Sequence, residues 1–269
     1  MSLSGSSSGS SSGSALTAEF DDVAGWTADA VERLGAAYAI PAACRGSANP
    51  AALAWLAEAC GLSAGTRLLD VGAGLGGPAA WAAERFGVRP ILLEPMPAAG
   101  RAAARLFGLP ILAADGTRIP LRDGSVDAAW CLGVLDIVQD KAALLSEIHR
   151  VLRPGGPLGL LVVVAQGRQL LPTPEGNVFP TRRELSGLLD AAGFVPVRQI
   201  DRPEDVPPSW KRRAERVAAV VASRHRDDRA MALADRQGER FTRLFDAGQI
   251  AVRLVHAVRR PAPRPAPPN

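Results

Sequence analysis

Three acidic residues stand at points where a chain turning from strand to helix would present them, and the first precedes a cluster of glycines. The stretch Leu68-Leu69-Asp70-Val71-Gly72-Ala73-Gly74-Leu75-Gly76-Gly77-Pro78 reads as a buried strand ending in a carboxylate, a tight turn and a helix start. Glycine permits φ > 0 and close approach of a ligand to the backbone, and proline suits a helix's first turn. A helix start also offers free N–H groups to an anionic ligand group. Glu94 closes the next apolar run, and Asp115 closes the one after it.

The pattern Gly72-x-Gly74-x-x-Gly77 matches the dinucleotide fingerprint. Glu94, roughly 20 residues on, suits the acid that accepts hydrogen bonds from ribose hydroxyls. Asp70 argues the other way, because a carboxylate at that point repels a pyrophosphate and attracts an ammonium or sulfonium. Asp115 adds an acceptor for an exocyclic adenine amine. Three carboxylates on successive strand tips therefore match a ligand with an amine, a ribose diol and an adenine amine. S-adenosylmethionine has all three and no phosphate. Taken singly, each acid also fits the plainer role of ending a strand and starting a turn.

The elements that must carry these residues follow from periodicity and turn chemistry. Residues 19–36 have Phe20, Val23, Trp26, Ala30, Val31 and Leu34 near helical spacing. Residues 38–47 read as a loop, and Asn49-Pro50 as a cap and first turn for a helix over 50–60. Strands are predicted at 66–71, 90–93, 110–114, 126–132 and 158–165, with helices at 78–86, 97–107 and 140–152 between them. This alternation means a parallel sheet with helices on both faces. Thr181-x-x-Glu184 is a capping box opening a further helix, and 195–200 reads as a sixth strand. Residues 207–247 are charged and helical, broken near Asp227-Asp228, before a last strand at 250–259. Roughly 45 residues between strands is far beyond a hairpin loop, so this segment is expected to be an inserted cap.

The chain has 269 residues and a net charge of +4, too mild to imply a nucleic-acid partner. Residues 1–14 are nearly all Ser and Gly and read as a disordered tag or linker, with 15–49 as an N-terminal cap helix and loop. The core is expected over 50–206, the helical insert over 207–248, the last strand over 249–260 and a disordered Pro-rich tail over 261–269. No apolar run reaches the length of a membrane span. The cysteines Cys44, Cys60 and Cys131 lack Cys-x-x-Cys spacing, which argues against disulfides and a zinc site and suits a cytoplasmic setting; no metal is expected.

These motifs resemble the class I S-adenosylmethionine-dependent methyltransferases, of the branch acting mainly on small molecules. The resemblance covers roughly residues 51–194. It rests on Leu69-Asp70-Val71-Gly72-Ala73-Gly74-Leu75-Gly76, on Glu94, on Asp115-Gly116-Thr117 with Ile119-Pro120-Leu121 and Asp123-Gly124-Ser125-Val126-Asp127, and on Leu152-Arg153-Pro154-Gly155-Gly156. It implies a three-layer αβα Rossmann-like sandwich: a seven-stranded mixed sheet, last strand antiparallel, with the N-terminal helices and the insert as a cap. It implies S-adenosyl-L-methionine as cofactor and S-adenosyl-L-homocysteine as product. By the same resemblance Gly72 and Gly74 lie along the methionine arm, and Asp70 reaches the amino group directly or through water. Glu94 holds the ribose, Met96 lies near the adenine, and Asp115 contacts the adenine amine with Thr117 nearby. Cys131 and Leu132 line the floor beside the reactive methyl. Arg45, Ser47 and Asn49 are candidates for holding the carboxylate, with Ser47 preferred.

Methyl transfer from a sulfonium is an in-line displacement, so the protein aligns the reactants and excludes water. A general base is needed only if the acceptor must lose a proton. Asp136, just past the fourth strand, is the first candidate catalytic residue, with helix capping or solvation as the alternative, and His225 in the insert the second, with plain solvation as its alternative. His149 and His256 read as residues without a catalytic part. No Asn-Pro-Pro-Tyr or Asp-Pro-Pro-Tyr follows the fourth strand; Cys131-Leu132-Gly133-Val134-Leu135-Asp136 stands there, suited to a small organic acceptor. Trp210, Phe241, Phe245, Trp26 and Phe20 fit an apolar inner face of the cap, and core packing explains each of them equally well. Lys211-Arg212-Arg213 reads as a solvated helix face, with an anion site as the lesser alternative. The expected activity is methylation of O, N or C on a small molecule, in biosynthesis or natural-product tailoring. The alternatives are a quinone-pathway carbon methyltransferase, an NAD(P)-linked oxidoreductase, and a protein that binds S-adenosylmethionine without catalysis.

Overall fold

The computed structural model describes residues 9–44, 48–167, 172–201 and 206–260. The chain opens with α1 (Gly9–Leu34), a 3-10 turn (Ala36–Tyr38), α2 (Ala39–Ala43) and α3 (Pro50–Ala59). It continues through β1 (Arg67–Val71), α4 (Gly77–Phe86), β2 (Arg89–Leu93), α5 (Pro97–Phe107), β3 (Ile111–Leu112) and β4 (Ala128–Leu132). Then come α6 (Lys141–Val151), β5 (Pro157–Ala165), α7 (Arg182–Ala191) and β6 (Phe194–Asp201). The insert supplies α8 (Pro208–Arg224) and α9 (Arg229–Asp246), and β7 (Ile250–Arg259) closes the sheet.

Local chemistry explains most boundaries. Asn49 accepts a hydrogen bond from the Ala52 N–H at 2.9 Å, and Pro50 takes the first helical position of α3. Thr181 and Glu184 form the reciprocal capping box of α7. Asp140 and Asp228 cap α6 and α9 through the Ala143 and Ala230 N–H groups. Two expectations change. α1 begins at Gly9, inside the stretch read as a linker, because extending a formed helix costs far less than nucleating one. Residues read as a loop form the 3-10 turn and α2, whose Ala39, Pro41 and Ala43 are buried and so gain from packing what their local pattern does not advertise.

The sheet order is β3-β2-β1-β4-β5-β7-β6. β7 runs antiparallel to both β5 and β6, and the other pairings are parallel. Leu158 through Ala165 of β5 are all buried, as a strand covered on both faces must be. Alternate residues serve opposite faces. Ala128 and Trp130 of β4 pack with α3 and α4, whereas Ala129 and Cys131 pack with α6 and α7. Asp127 accepts from the Arg67 N–H and pairs with the Arg67 guanidinium at 3.1 Å, which holds its carboxyl down at about 2 and ties β4 to the start of β1. The chain winds outward from β1 in both directions, so the crevice beyond the C-terminal ends of β1 and β4 is the switch point where such sheets bind ligands.

Candidate active site

β1 delivers Asp70 to that crevice, and the chain then turns through Gly72 (φ +69°), Gly74 (φ +55°) and Gly76 (φ +78°). The Gly72 and Ala73 N–H groups both donate to the Leu93 carbonyl, at 2.8 and 3.1 Å. The Gly74 N–H donates to Glu94 Oε2 at 2.7 Å. The turn therefore spends these donors on the end of β2, not on an anionic ligand group, and the helix start itself lies beyond them at Gly77. Close approach explains the glycines further. A Cβ on Gly72 would stand 2.4 Å from Val134 Cγ2, and one on Gly77 would stand 2.5 Å from the Ala43 carbonyl carbon.

The three acids line one cavity of about 570 Å³, within the usual range for small-molecule sites. Asp70 is 1% exposed, and its Oδ2 has no hydrogen-bond partner among the described residues. Burial, and then the neighbouring Glu94, push its carboxyl up to about 7. Glu94 is also buried, which raises its pKa, although it accepts from the Met96 N–H at 2.9 Å as well as from Gly74. Asp115 Oδ1 accepts both the Thr117 N–H and its hydroxyl, each at 2.7 Å. Met96 and Leu132 stand in the lining with Gly72 and Gly74.

Two residues expected in the lining lie outside it. Thr117 sits behind Asp115 and orients it. Cys131 is wholly buried in the α6–α7 face of the core, because the period-two alternation of β4 turns it away while Leu132 faces the cavity. Asn49 is committed to the α3 cap. Ser47 and Arg45 lie outside the described residues.

Toward β5 the cavity is closed by residues the sequence did not single out. Gln139, Asn177 and Gln237 line it, with Glu175 and with Glu19 of α1. Asp136 does not line it. Its carboxylate is 4% exposed and accepts from Asn177 Nδ2 at 3.3 Å, so it backs a lining residue. Burial pushes it up to about 6 despite the Lys141 charge. Helix α9 grips this wall: the Glu175 N–H donates to Gln237 Oε1 at 3.0 Å, and Arg240 pairs with the Glu175 carboxylate at 3.4 Å. Helix α1 is anchored by Asp21 Oδ1, which accepts from the Ala98 and Ala99 N–H groups at the start of α5.

His225 is placed elsewhere. It ends α8 and stacks on Trp26 with ring centroids 3.9 Å apart, because α1 and α8 pack against each other. Trp210 and Phe241 pack against the core, Phe245 is exposed, and of the five aromatics assigned to the cap's inner face only Phe20 lines the cavity. His149 packs edge-on against Phe194, His256 lies on β7, and neither reaches the cavity. Lys211 pairs with Glu215 on an exposed helix face.

A family model described as "Methyltransferase domain" matches residues 69–160, the span from the glycine turn to β5. The demethylmenaquinone methyltransferase of Mycolicibacterium vanbaalenii is 34% identical over 180 residues, covering 62% of this chain and 71% of that one. Methyltransferase GfsG of Streptomyces halstedii is 34% identical over 123 residues, covering 42% of this chain and 43% of that one. The chain thus spans about half the length or less of some curated relatives it matches. Among solved structures, the [4+2]-cyclase SpnF superposes with a TM-score of 0.63 at 26% identity, covering 78% of this chain and 80% of that one. Geranyl diphosphate C-methyltransferase from Streptomyces coelicolor A3(2), solved with S-adenosyl-L-homocysteine, superposes with a TM-score of 0.58 at 20% identity, over 78% of this chain and 75% of that one. The unpartnered Asp70 oxygen and the adjoining acids fit the ammonium, ribose and adenine of S-adenosyl-L-methionine, and the chain belongs to the class I S-adenosyl-L-methionine-dependent methyltransferase family.

Proposed function

We propose that this chain methylates a small organic molecule at O, N or C, in biosynthesis or natural-product tailoring. The observation that carries the reading is the convergence of Asp70, Glu94 and Asp115 on one cavity at the switch point of the sheet, with Asp70 Oδ2 lacking a partner among the described residues. The bound cofactor supplies an activated methyl carbon, which an acceptor displaces in line. In this reading Asp70 binds the cofactor's ammonium, Glu94 its ribose diol and Asp115 its adenine amine. Met96 and Leu132 flank it, and the Gly72–Gly74 backbone lies along the methionine arm. The N-terminal helix and the insert close the cavity and exclude water.

No His, Lys or Tyr lines the cavity among the described residues, and its titratable lining groups are the carboxylates of Glu19, Asp70, Glu94, Asp115 and Glu175; the displacement itself asks the chain for alignment. Asp136 acts through Asn177 as a positioning residue. Similarity to a quinone-pathway methyltransferase favours a cyclic organic acceptor without choosing between O and C.

Calorimetry with S-adenosylmethionine, S-adenosylhomocysteine and NAD tests the reading, followed by radiolabelled methyl transfer to a small-molecule panel. Binding of the first two and labelled product support it. NAD binding without S-adenosylmethionine binding refutes it in favour of an oxidoreductase. Tight S-adenosylmethionine binding with no transfer to any acceptor points to a binding protein without methyltransferase activity.

A further inference from the structure

The cavity has two chemically different sides. Toward β3, β2 and β1 stand Asp115, Glu94 and Asp70. Toward β4 and β5 the wall is Leu132, Val134, Ile137, Val138, Leu161 and Pro174. On that second side the neutral polar groups are the amides of Gln139, Asn177 and Gln237. Among the described residues no Lys, Arg or His lines the cavity, and the Glu175 carboxylate is paired with Arg240. Exposed Ile137 and Val178 flank this end and continue the apolar surface outward.

Gln237 is the informative amide. A backbone N–H can only donate, so the Glu175 N–H fixes which end of the Gln237 amide faces it, and Oε1 accepts at 3.0 Å. That leaves Nε2, buried and without a hydrogen-bond partner among the described residues. A buried donor left unpaired is costly, and because Gln237 lines the cavity, a small rotation of its side chain would bring Nε2 to a ligand oxygen there. One N–H of the Asn177 amide is already engaged, since its Nδ2 donates to Asp136.

Resting on the methyltransferase reading above, we infer that Gln237 determines acceptor specificity. Its Nε2–H donates to an oxygen of a neutral, largely apolar acceptor molecule bound at the β4–β5 side. A carboxylated or phosphorylated acceptor would find no cation among the described lining residues. A cationic acceptor would find the Glu175 charge already paired with Arg240 and an apolar wall, with Glu19 of α1 the one further carboxylate among the described lining residues outside the three cofactor acids.

Binding of four naphthalene probes of similar size, in saturating S-adenosylhomocysteine, tests this: 2-acetonaphthone, 2-ethylnaphthalene, 2-naphthoate and 2-naphthylmethylamine. The wild type is expected to bind the ketone about tenfold tighter than the hydrocarbon, the factor one net hydrogen bond supplies, and tighter than either ion. Gln237→Leu removes the donor, and Gln237→Glu keeps an acceptor for the Glu175 N–H while removing the donor. Both should bring ketone and hydrocarbon within about twofold of each other and leave S-adenosylhomocysteine affinity within about twofold of wild type. Equal wild-type binding of ketone and hydrocarbon overturns the inference. So does tightest binding of naphthoate or the amine, absence of binding by all four, or an undiminished ketone preference in both variants. A wild type that fails to bind S-adenosylhomocysteine overturns the cofactor reading instead.

Discussion

Glu94→Ala separates what this carboxylate does for the fold from what it does for a ligand. Its Oε2 accepts the Gly74 N–H at 2.7 Å and its Oε1 the Met96 N–H at 2.9 Å, so one side chain fastens the glycine turn to the entry of α5. Hydrogen bonds to a charged acceptor contribute about 1.5–3 kcal/mol each. Against this stands the cost of burying the charge, seen in the raised pKa of a residue only 3% exposed. The balance is a loss of about 2–4 kcal/mol without any ligand. For a chain of this size about 2–4 °C of melting temperature accompanies each kcal/mol, so the midpoint should fall by about 9 °C, within roughly 4–16 °C. Glu94→Gln keeps one acceptor oxygen and sets an NH2 against the other donor, so it should lose part of this. The assay is thermal and urea unfolding of ligand-free protein, with amide exchange at Gly74 and Met96. A midpoint within about 1 °C of wild type, with unchanged exchange at both amides, would refute the reasoning even if S-adenosylhomocysteine affinity fell.

Other perturbations probe the rest of the site. Asp70 in the folded chain keeps its proton up to about pH 7, against 3.8 for a free carboxyl. The native state thus binds more protons between these values, and ligand-free stability should fall as pH rises through that window. Asp70→Asn should flatten the slope, and a wild type as stable at pH 8 as at pH 5 would contradict it; calorimetry should also show proton release on S-adenosylmethionine binding near pH 6. Gly72→Ala combines a positive φ with a Cβ 2.4 Å from Val134 Cγ2, so it should lose about 2–3 kcal/mol by urea unfolding. Adding Val134→Ala should relieve the steric part, and strictly additive losses would exclude that contact. Asp136→Asn should change kcat less than about tenfold, because the carboxylate backs Asn177 and does not line the cavity. A loss of a hundredfold or more, with KM unchanged, would restore Asp136 as a general base.

Much of this protein is written in short-range signals. The alternation of short apolar runs and amphipathic stretches, the Asn49-Pro50 start and the Thr181–Glu184 box each act within a few residues, so strand and helix order is legible without a partner segment. The acids at the strand ends are legible for the same reason, since a parallel sheet places successive tips on one edge. Their number and order, read with the glycine turn, determined the ligand class.

Tertiary structure decided everything that depends on which face meets which. Cys131 and Leu132 are neighbours in a strand buried on both sides, and only packing against α6 and α7 sends one into the core and the other to the cavity. His225 became a stacking partner because α8 meets α1, and Trp210 and Phe241 came to rest, half-buried, against the core because the insert packs back on it. Gln237 lies on a charged surface helix with no local mark of function. It belongs to the site because α9 reaches the Glu175 loop, sixty-two residues away in sequence. The glycine turn gained a narrower meaning in the same way. Its N–H groups bind β2 and Glu94, and the ligand is left to the carboxylates around it.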